Sequence, residues 1–192
     1  GIGIGIGKTV LIDNIGNCPA KENWIVIIPQ DCEYEQAARN INSAMNKGVH
    51  VVGGIVQKND GVLINNRLNT EIPIVDEVQY IERVPVNMPA AVEVAQIGKS
   101  VQKLSNPYDI ATLFALSPEE TRNVVPIARA LTGTRSAVVI KTPQGDIQER
   151  KIPAGKITLI GDSKIEEVQL EEGAESIMQK VNAVRPLKEV KA

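Results

Sequence analysis

Few residues in this chain are equipped for chemistry. Gly7-Lys8-Thr9 offers glycine amides, an ammonium and a hydroxyl, the parts with which a phosphate loop cradles a triphosphate and its magnesium. That loop also needs a glycine where Ile2 stands, and it must follow a strand and open a helix, whereas Thr9-Val10-Leu11-Ile12 itself reads as a strand. His50 is the only histidine, so any phosphohistidine or histidine-base chemistry has to use it. Its neighbours are Val49, Val51 and Val52 rather than the glycine, threonine and serine that suit a phosphocarrier, and a strand-end residue is the plainer reading. Asn59 and Asp60, followed by Asp76 and Glu77, are hard oxygen donors able to converge on magnesium or calcium; the plain alternative is a turn aspartate and two solvated acids. Cys18 and Cys32 stand alone, without the partners of a zinc cage or a disulfide framework.

The composition narrows the function classes further. Lys plus Arg number 21 against 23 Asp plus Glu, a net charge of -2, so no general field gathers phosphate backbones or acidic membranes. One Trp, three Tyr and one Phe are too few to build a base-stacking platform. The longest aliphatic strip, Trp24 to Ile28, is far shorter than the roughly 20 residues of a membrane helix, and no charged-then-apolar signal segment opens the sequence. Together with the sparse cysteines this predicts a cytoplasmic protein. A start at Gly1 rather than Met predicts a piece of a longer polypeptide.

The elements that position these residues follow from periodicity. Gly1 to Gly7 alternates glycine with isoleucine; four glycines carry a large backbone-entropy cost, so the segment reads as a linker into a strand from Lys8 to Ile12. Trp24 to Ile28 is an unbroken apolar run, the pattern of a strand covered on both faces. Tyr34, Ala37, Ala38, Ile41 and Met45 lie on one helical stripe closed by Gly48, and Val49 to Val56 resumes a β-branched run. Strand, helix, strand in this spacing implies a parallel right-handed crossover and an α/β core. Asn59-Asp60-Gly61 predicts a hairpin returning through Val62-Leu63-Ile64. Farther on, Ala90 to Val101 alternates as a strand. Ser117-Pro118-Glu119-Glu120 opens a helix with a capping box, running to Gly133 through Pro126. A meander of Ala137 to Lys141, Asp146 to Ile152 and Lys156 to Ile160 is expected, then Val168 to Leu170, a helix near Gly173 to Val184 and a charged tail.

Seven segments carry a family resemblance: Asp60-Gly61-Val62-Leu63, Asn66-Arg67-Leu68, Pro73-Ile74-Val75-Asp76-Glu77-Val78, Leu104-Ser105-Asn106-Pro107-Tyr108, Leu116-Ser117-Pro118-Glu119-Glu120-Thr121, Ala128-Arg129-Ala130-Leu131 and Arg135-Ser136-Ala137-Val138-Val139. Together they resemble the large subunit of diol and glycerol dehydratase reactivases, nearly without gaps over most of the chain. The resemblance covers that subunit's swivelling domain. It implies residues 1–7 as a glycine-rich linker from the ATPase part, 8–150 as a three-layer β/β/α swivelling domain, and 151–192 as strands and a helix leading toward the next domain.

The function it implies is that of an interaction module in a chaperone-like factor. Such a factor uses ATP to release damaged cobalamin from a B12-dependent diol or glycerol dehydratase. The actin-like ATPase, and with it the nucleotide site, is expected outside this chain, which itself is not expected to be an enzyme. The swivelling domain is expected to hold the small reactivase subunit, with Mg2+ or Ca2+ at the contact. Asp76 matches a ligand position; Asn59 stands where the family has a ligating Asp, keeping an oxygen but losing a charge, and a further ligand precedes Gly1. Partner-binding residues are then Asn59, Asp60, Asp76 and Glu77. Neither nucleic acid nor membrane is an expected partner, and association with a bacterial microcompartment is left open. The rival reading is a stand-alone swivelling phosphocarrier using His50; a free nucleotide hydrolase would rest on Gly7-Lys8-Thr9 alone.

Overall fold

The computed structural model describes residues 1–142 and the backbone of strands 156–161, 165–169 and 187–191. Its centre is a six-stranded mixed sheet in the order β4-β3-β2-β1-β5-β6: β1 (Gly3–Leu11), β2 (Asn23–Ile28), β3 (His50–Val56), β4 (Ile74–Val75), β5 (Pro89–Val94) and β6 (Ser136–Ile140). The first four strands are parallel and β5 and β6 are antiparallel to their neighbours. In a flat sheet β4 and β6 would lie roughly 24 Å apart at the usual strand spacing. Here β4 lies against both β5 and β6, so the sheet is folded over along β1.

Strand β1 serves as the fold line because its two halves choose different partners. Lys8 to Leu11 pair with Trp24 to Ile27 of β2, while Gly3 to Lys8 pair with Val94 to Pro89 of β5. The glycine-isoleucine opening is therefore a strand from Gly3 onward and not the linker predicted for residues 1–7. A side chain at Gly5 would fall on the carbonyl of Val52, and one at Gly7 on the carbonyl of Asn23. Only glycine lets this half-strand pass so close to the main chain of β2 and β3, and that close approach outweighs its entropy cost.

Folding the sheet creates three packed interfaces. Ile25, Ile27 and Ile55 of the parallel half meet Ala90, Val92, Val138 and Ile140 of the antiparallel half, with Val78, Ile81 and Val84 closing the side. On the outer face of the parallel half, Trp24, Val26 and Ile28 pack under α1 (Tyr34–Asn46) through Ala37, Ala38, Ile41 and Ala44. On the outer face of β5 and β6, Ala91, Ala137 and Val139 pack under α3 (Pro107–Phe114) and α4 (Pro118–Leu131). The β/β/α layering thus holds, with α3 and α4 as a further layer. The second sheet layer comes from β1, β5 and β6, of which only β6 belongs to the predicted meander.

Helix α4 begins at the predicted capping box, in which the Ser117 hydroxyl accepts from the Glu120 amide at 3.1 Å and the Glu120 carboxylate accepts from the Ser117 amide at 3.0 Å. Helix α3 went unpredicted although Asn106-Pro107 marks its start: the Asn106 side chain caps Tyr108 and Asp109. The strand expected to reach Val101 stops at Val94, where the chain turns back so that the amides of Gln102, Lys103 and Leu104 reach the carboxylate of Glu93. Strands β7 (Lys156–Gly161), β8 (Ile165–Gln169) and β9 (Leu187–Lys191) form a second, antiparallel sheet in the order β8-β7-β9. Part of the predicted charged tail is thus a strand. The expected strand Asp146 to Ile152, the turn before it, the helix Gly173 to Val184 and the domain limit at 150 lie outside the described residues.

Candidate functional site

The predicted hairpin at Asn59-Asp60-Gly61 is instead the entry to a short helix, α2 (Gly61–Asn65). Val62-Leu63-Ile64 is too apolar to announce a helix, yet burial follows helical spacing: Ile64 and Asn65 point inward while Val62 and Leu63 stay exposed. Asn65 then fixes the return of the chain, donating to the Ile72 carbonyl at 2.7 Å and accepting from the Ile72 amide at 3.0 Å. That return delivers β4 beside β3, in register Gly54 with Ile74 and Ile55 with Val75.

Parallel pairing brings Asp76 to the same sheet end as Asn59 and Asp60. The Gly61 amide donates to Asp76 Oδ2 at 3.0 Å. A Cβ on Gly61 would sit 2.7 Å from that oxygen, so this position needs glycine for close approach. The Glu77 amide donates to the Lys58 carbonyl at 3.1 Å and the Val78 amide to the Val56 carbonyl at 3.0 Å, locking the two strand exits together. Asn59 and Glu77 are exposed, Asp60 and Asp76 half-buried. All four predicted residues therefore gather at the carboxyl end of β3 and β4, where open α/β sheets bind ligands.

Burial pushes the Asp76 carboxyl up from its ordinary value; the Gly61 amide bond opposes this, and the charges of Glu77 and Asp60 add to it. Glu77 and Tyr80 both adopt left-handed backbone, with φ of 58° and 56°. Such conformations cost about 1–3 kcal/mol in a non-glycine residue and cluster at binding sites. Asp76 also lines a cavity of about 250 Å³ whose walls include Gly61, Val94, Arg135 and Ser136. Arg135 figures in the sequence only as part of a family segment, with no site role, because nothing in its spacing ties it to residues some sixty positions earlier.

The other candidates lie elsewhere. His50 is exposed at the opposite end of β3, roughly 20 Å from Val56 by strand rise, with Nδ1 at 3.3 Å from Asn23 Oδ1. Gly7-Lys8-Thr9 is strand and not loop; the buried Thr9 hydroxyl donates to the Pro85 carbonyl at 2.6 Å and accepts from the Met88 amide at 3.1 Å. Cys18 and Cys32 are free thiols, and burial together with nearby acids pushes both above the usual thiol range. Among the described residues no three His, Cys, Asp or Glu side chains assemble as a complete metal cage, and no helix is long and apolar enough to cross a membrane.

Comparison with known proteins connects the chain to a family. The chain is 47% identical over 182 residues to the diol dehydratase-reactivating factor large subunit of Klebsiella michiganensis, covering 95% of this chain and 30% of that protein. It is 45% identical over 190 residues to the propanediol dehydratase-reactivating factor large subunit of Salmonella typhimurium, covering 99% of this chain and 31% of that protein. Two solved structures superpose well. A diol dehydratase-reactivating factor in nucleotide free form gives a TM-score of 0.72 at 46% identity, over 99% of this chain and 31% of that one. A glycerol dehydratase reactivase gives 0.73 at 49% identity, over 99% and 32%. The chain thus spans under a third of the length of these relatives. Residues 1–147 match the family model described as the DD-reactivating factor swiveling domain. With the folded-over sheet carrying that match across most of its length, the chain belongs to the swiveling-domain family of dehydratase-reactivating factors.

Proposed function

We propose that this domain is the docking module of a dehydratase-reactivating factor, holding the small reactivase subunit at the carboxyl end of β3 and β4 with Mg2+ or Ca2+ bridging the two chains. The observation that carries the reading is Asp76: one oxygen is held by the Gly61 amide, which orients the carboxylate, while the group lines an open cavity. This chain brings a carboxylate from Asp76 and an amide oxygen from Asn59, a partial set for a hard cation that takes six or more oxygens. Such a set fits a shared ion better than a resident one, because the remaining ligands must come from outside the domain. Asp60 and Glu77 add negative potential at the rim.

In the longer polypeptide this module serves an ATP-dependent, chaperone-like exchange of damaged cobalamin on a B12-dependent diol or glycerol dehydratase in the cytoplasm, the nucleotide site lying outside these residues. The domain's part is mechanical: it presents a fixed surface that a partner grips or releases. The test is calorimetric titration of the factor's small subunit into the native chain, Asp76→Ala and Asn59→Asp, each with magnesium and with chelator. The expected result is weakening by about 2–5 kcal/mol for Asp76→Ala, and stronger cation dependence for Asn59→Asp. Equal affinities in all six titrations would remove this surface from the interface.

A further inference from the structure

A cavity of about 320 Å³ lies where the carboxyl half of β1, the turn Ile12–Asn17 that follows it and the approach to β5 meet, and it shares no wall residue with the one beside Asp76. Leu11 and Val86 are exposed aliphatic side chains at its mouth, and no Asp, Glu, Lys, Arg or His lines it. The Thr9 hydroxyl is already engaged with Pro85 and Met88, whereas Asn14, Asn17 and Asn87 are exposed. Asn87 is held in left-handed backbone, φ 59°, by its amide donating to the Thr9 carbonyl at 2.7 Å. Trp24 is a further wall residue, 7% exposed, and its indole Nε1–H is the one buried side-chain polar atom with no hydrogen-bond partner among the described residues. An indole nitrogen only donates, so the wall lacks an acceptor, and a donor left buried without one costs free energy.

We propose that this cavity binds a small uncharged carboxamide, whose carbonyl oxygen accepts from Trp24 Nε1 while its apolar body lies on Leu11 and Val86. The volume falls at the lower end of the roughly 300–1,000 Å³ of small-molecule sites, which are mostly apolar with a few placed polar groups. The uncharged walls select against an ion, which would give up its hydration and meet no opposite charge. The unpartnered donor selects for a ligand oxygen over a hydrocarbon. Asparagine side chains both donate and accept, and so match the paired N–H and C=O of an amide better than an ether or ketone, which only accept. Nε1 is covered in the free chain, so entry requires the mouth to yield, and the exposed Leu11 and Val86 side chains are the ones free to move. The site is independent of the docking surface at Asp76 and holds whether or not that surface does.

Trp24 is the sole tryptophan, so the isotope-labelled chain has a single indole N–H resonance to follow by NMR. The test is titration with benzamide, with benzoate, which adds a charge, and with toluene, which lacks the acceptor. Expected is a saturable downfield shift of the indole proton with benzamide, and binding about tenfold or more weaker for the other two. Val86→Glu places a charge at the exposed mouth and should weaken benzamide about tenfold with an unchanged melting temperature. Trp24→Phe, followed through the Leu11 methyl resonances, should weaken benzamide about tenfold and leave toluene unaltered, a split that lost packing alone does not produce. The Val86→Glu comparison stands even where Trp24→Phe fails to fold. Absence of a saturable indole shift with benzamide overturns the proposal. So does toluene binding as tightly as benzamide, which would make the cavity an apolar patch that leaves the donor unused, and so does native benzamide affinity in Val86→Glu, which would put the amide elsewhere.

Discussion

Glu93 and Asp76 both accept main-chain N–H groups from distant parts of the chain, and the two carboxylates are used in opposite ways. Glu93, on β5, is 7% exposed and accepts from Gln102 at 2.8 Å, Lys103 at 3.1 Å and Leu104 at 2.8 Å, with both oxygens engaged. Asp76, at the exit of β4, is half-buried and accepts from the side of α2 through one oxygen, the Gly61 amide at 3.0 Å. The first is a closed clamp that ends a strand and starts the approach to α3. The second is oriented but unsaturated. A buried carboxylate with both oxygens engaged by its own chain has little to offer a ligand, whereas a half-buried one steadied by the Gly61 amide is pre-organised for one.

The largest effect that separates the two regions is expected from Glu93→Ala. Three amides, that of Leu104 buried and the other two partly so, lose a charged acceptor at once, and the expected destabilisation is about 3–5 kcal/mol, read from urea unfolding. Asp76→Ala frees one amide at a partly solvated position and is expected to cost under about 1 kcal/mol in the same measurement. Comparable losses from the two substitutions would erase the distinction between clamp and open site.

Gly61→Ala sharpens the comparison from the other side, because it moves the Asp76 carboxylate without removing it. The added methyl would meet Asp76 Oδ2 at 2.7 Å and Ile74 Cγ2 at 3.2 Å, so the carboxylate must swing away from the Gly61 amide. A loss of about 1–2 kcal/mol in stability is expected from the overpacking, together with weakened binding of the small subunit. Asn66→Ala, exposed just past the same helix and outside the cavity lining, is the control and should alter neither. Unchanged affinity in Gly61→Ala would show that the orientation of Asp76 is irrelevant to docking.

How far these regions were legible in the sequence depended on how local their determinants are. The stripe that folds into α1 and the Ser117–Glu120 box of α4 are readable because each is decided within a few residues. The role of Gly5 and Gly7 is not, since the carbonyls that exclude a side chain there belong to Val52 and Asn23. Helix α2 misled for a related reason: its apolar run resembles a strand, and what settles it is Asp76 holding Gly61 from fifteen residues away. The clustering of Asn59, Asp60, Asp76 and Glu77 was within reach through the family match, which encodes the pairing of β3 with β4. Arg135 was not, because only the folding-over of the sheet brings β6 to that cavity.

The smallest effect tests the electrostatics of the open carboxylate itself. Burial, reinforced by Glu77 and Asp60, raises the Asp76 carboxyl above its unfolded value. A group with a raised folded pKa binds more protons in the native than in the unfolded state across the interval between the two values, so the stability it contributes falls as pH rises through that interval. At neutral pH the ionised Asp76 is therefore a slight cost to folding. Asp76→Asn keeps an oxygen for the Gly61 amide and removes that cost. The difference in stability between Asp76→Asn and the native chain is expected to be near zero at acid pH. It should grow in favour of Asn to about a few tenths of a kcal/mol by neutral pH, small because water screens a half-exposed group. Urea unfolding at a series of pH values reads this directly, and magnesium with the small subunit present should reverse its sign by stabilising only the native carboxylate. A difference that instead favours the native chain as pH rises, with no partner present, would mean that Asp76 is satisfied within its own fold and is a clamp of the Glu93 kind.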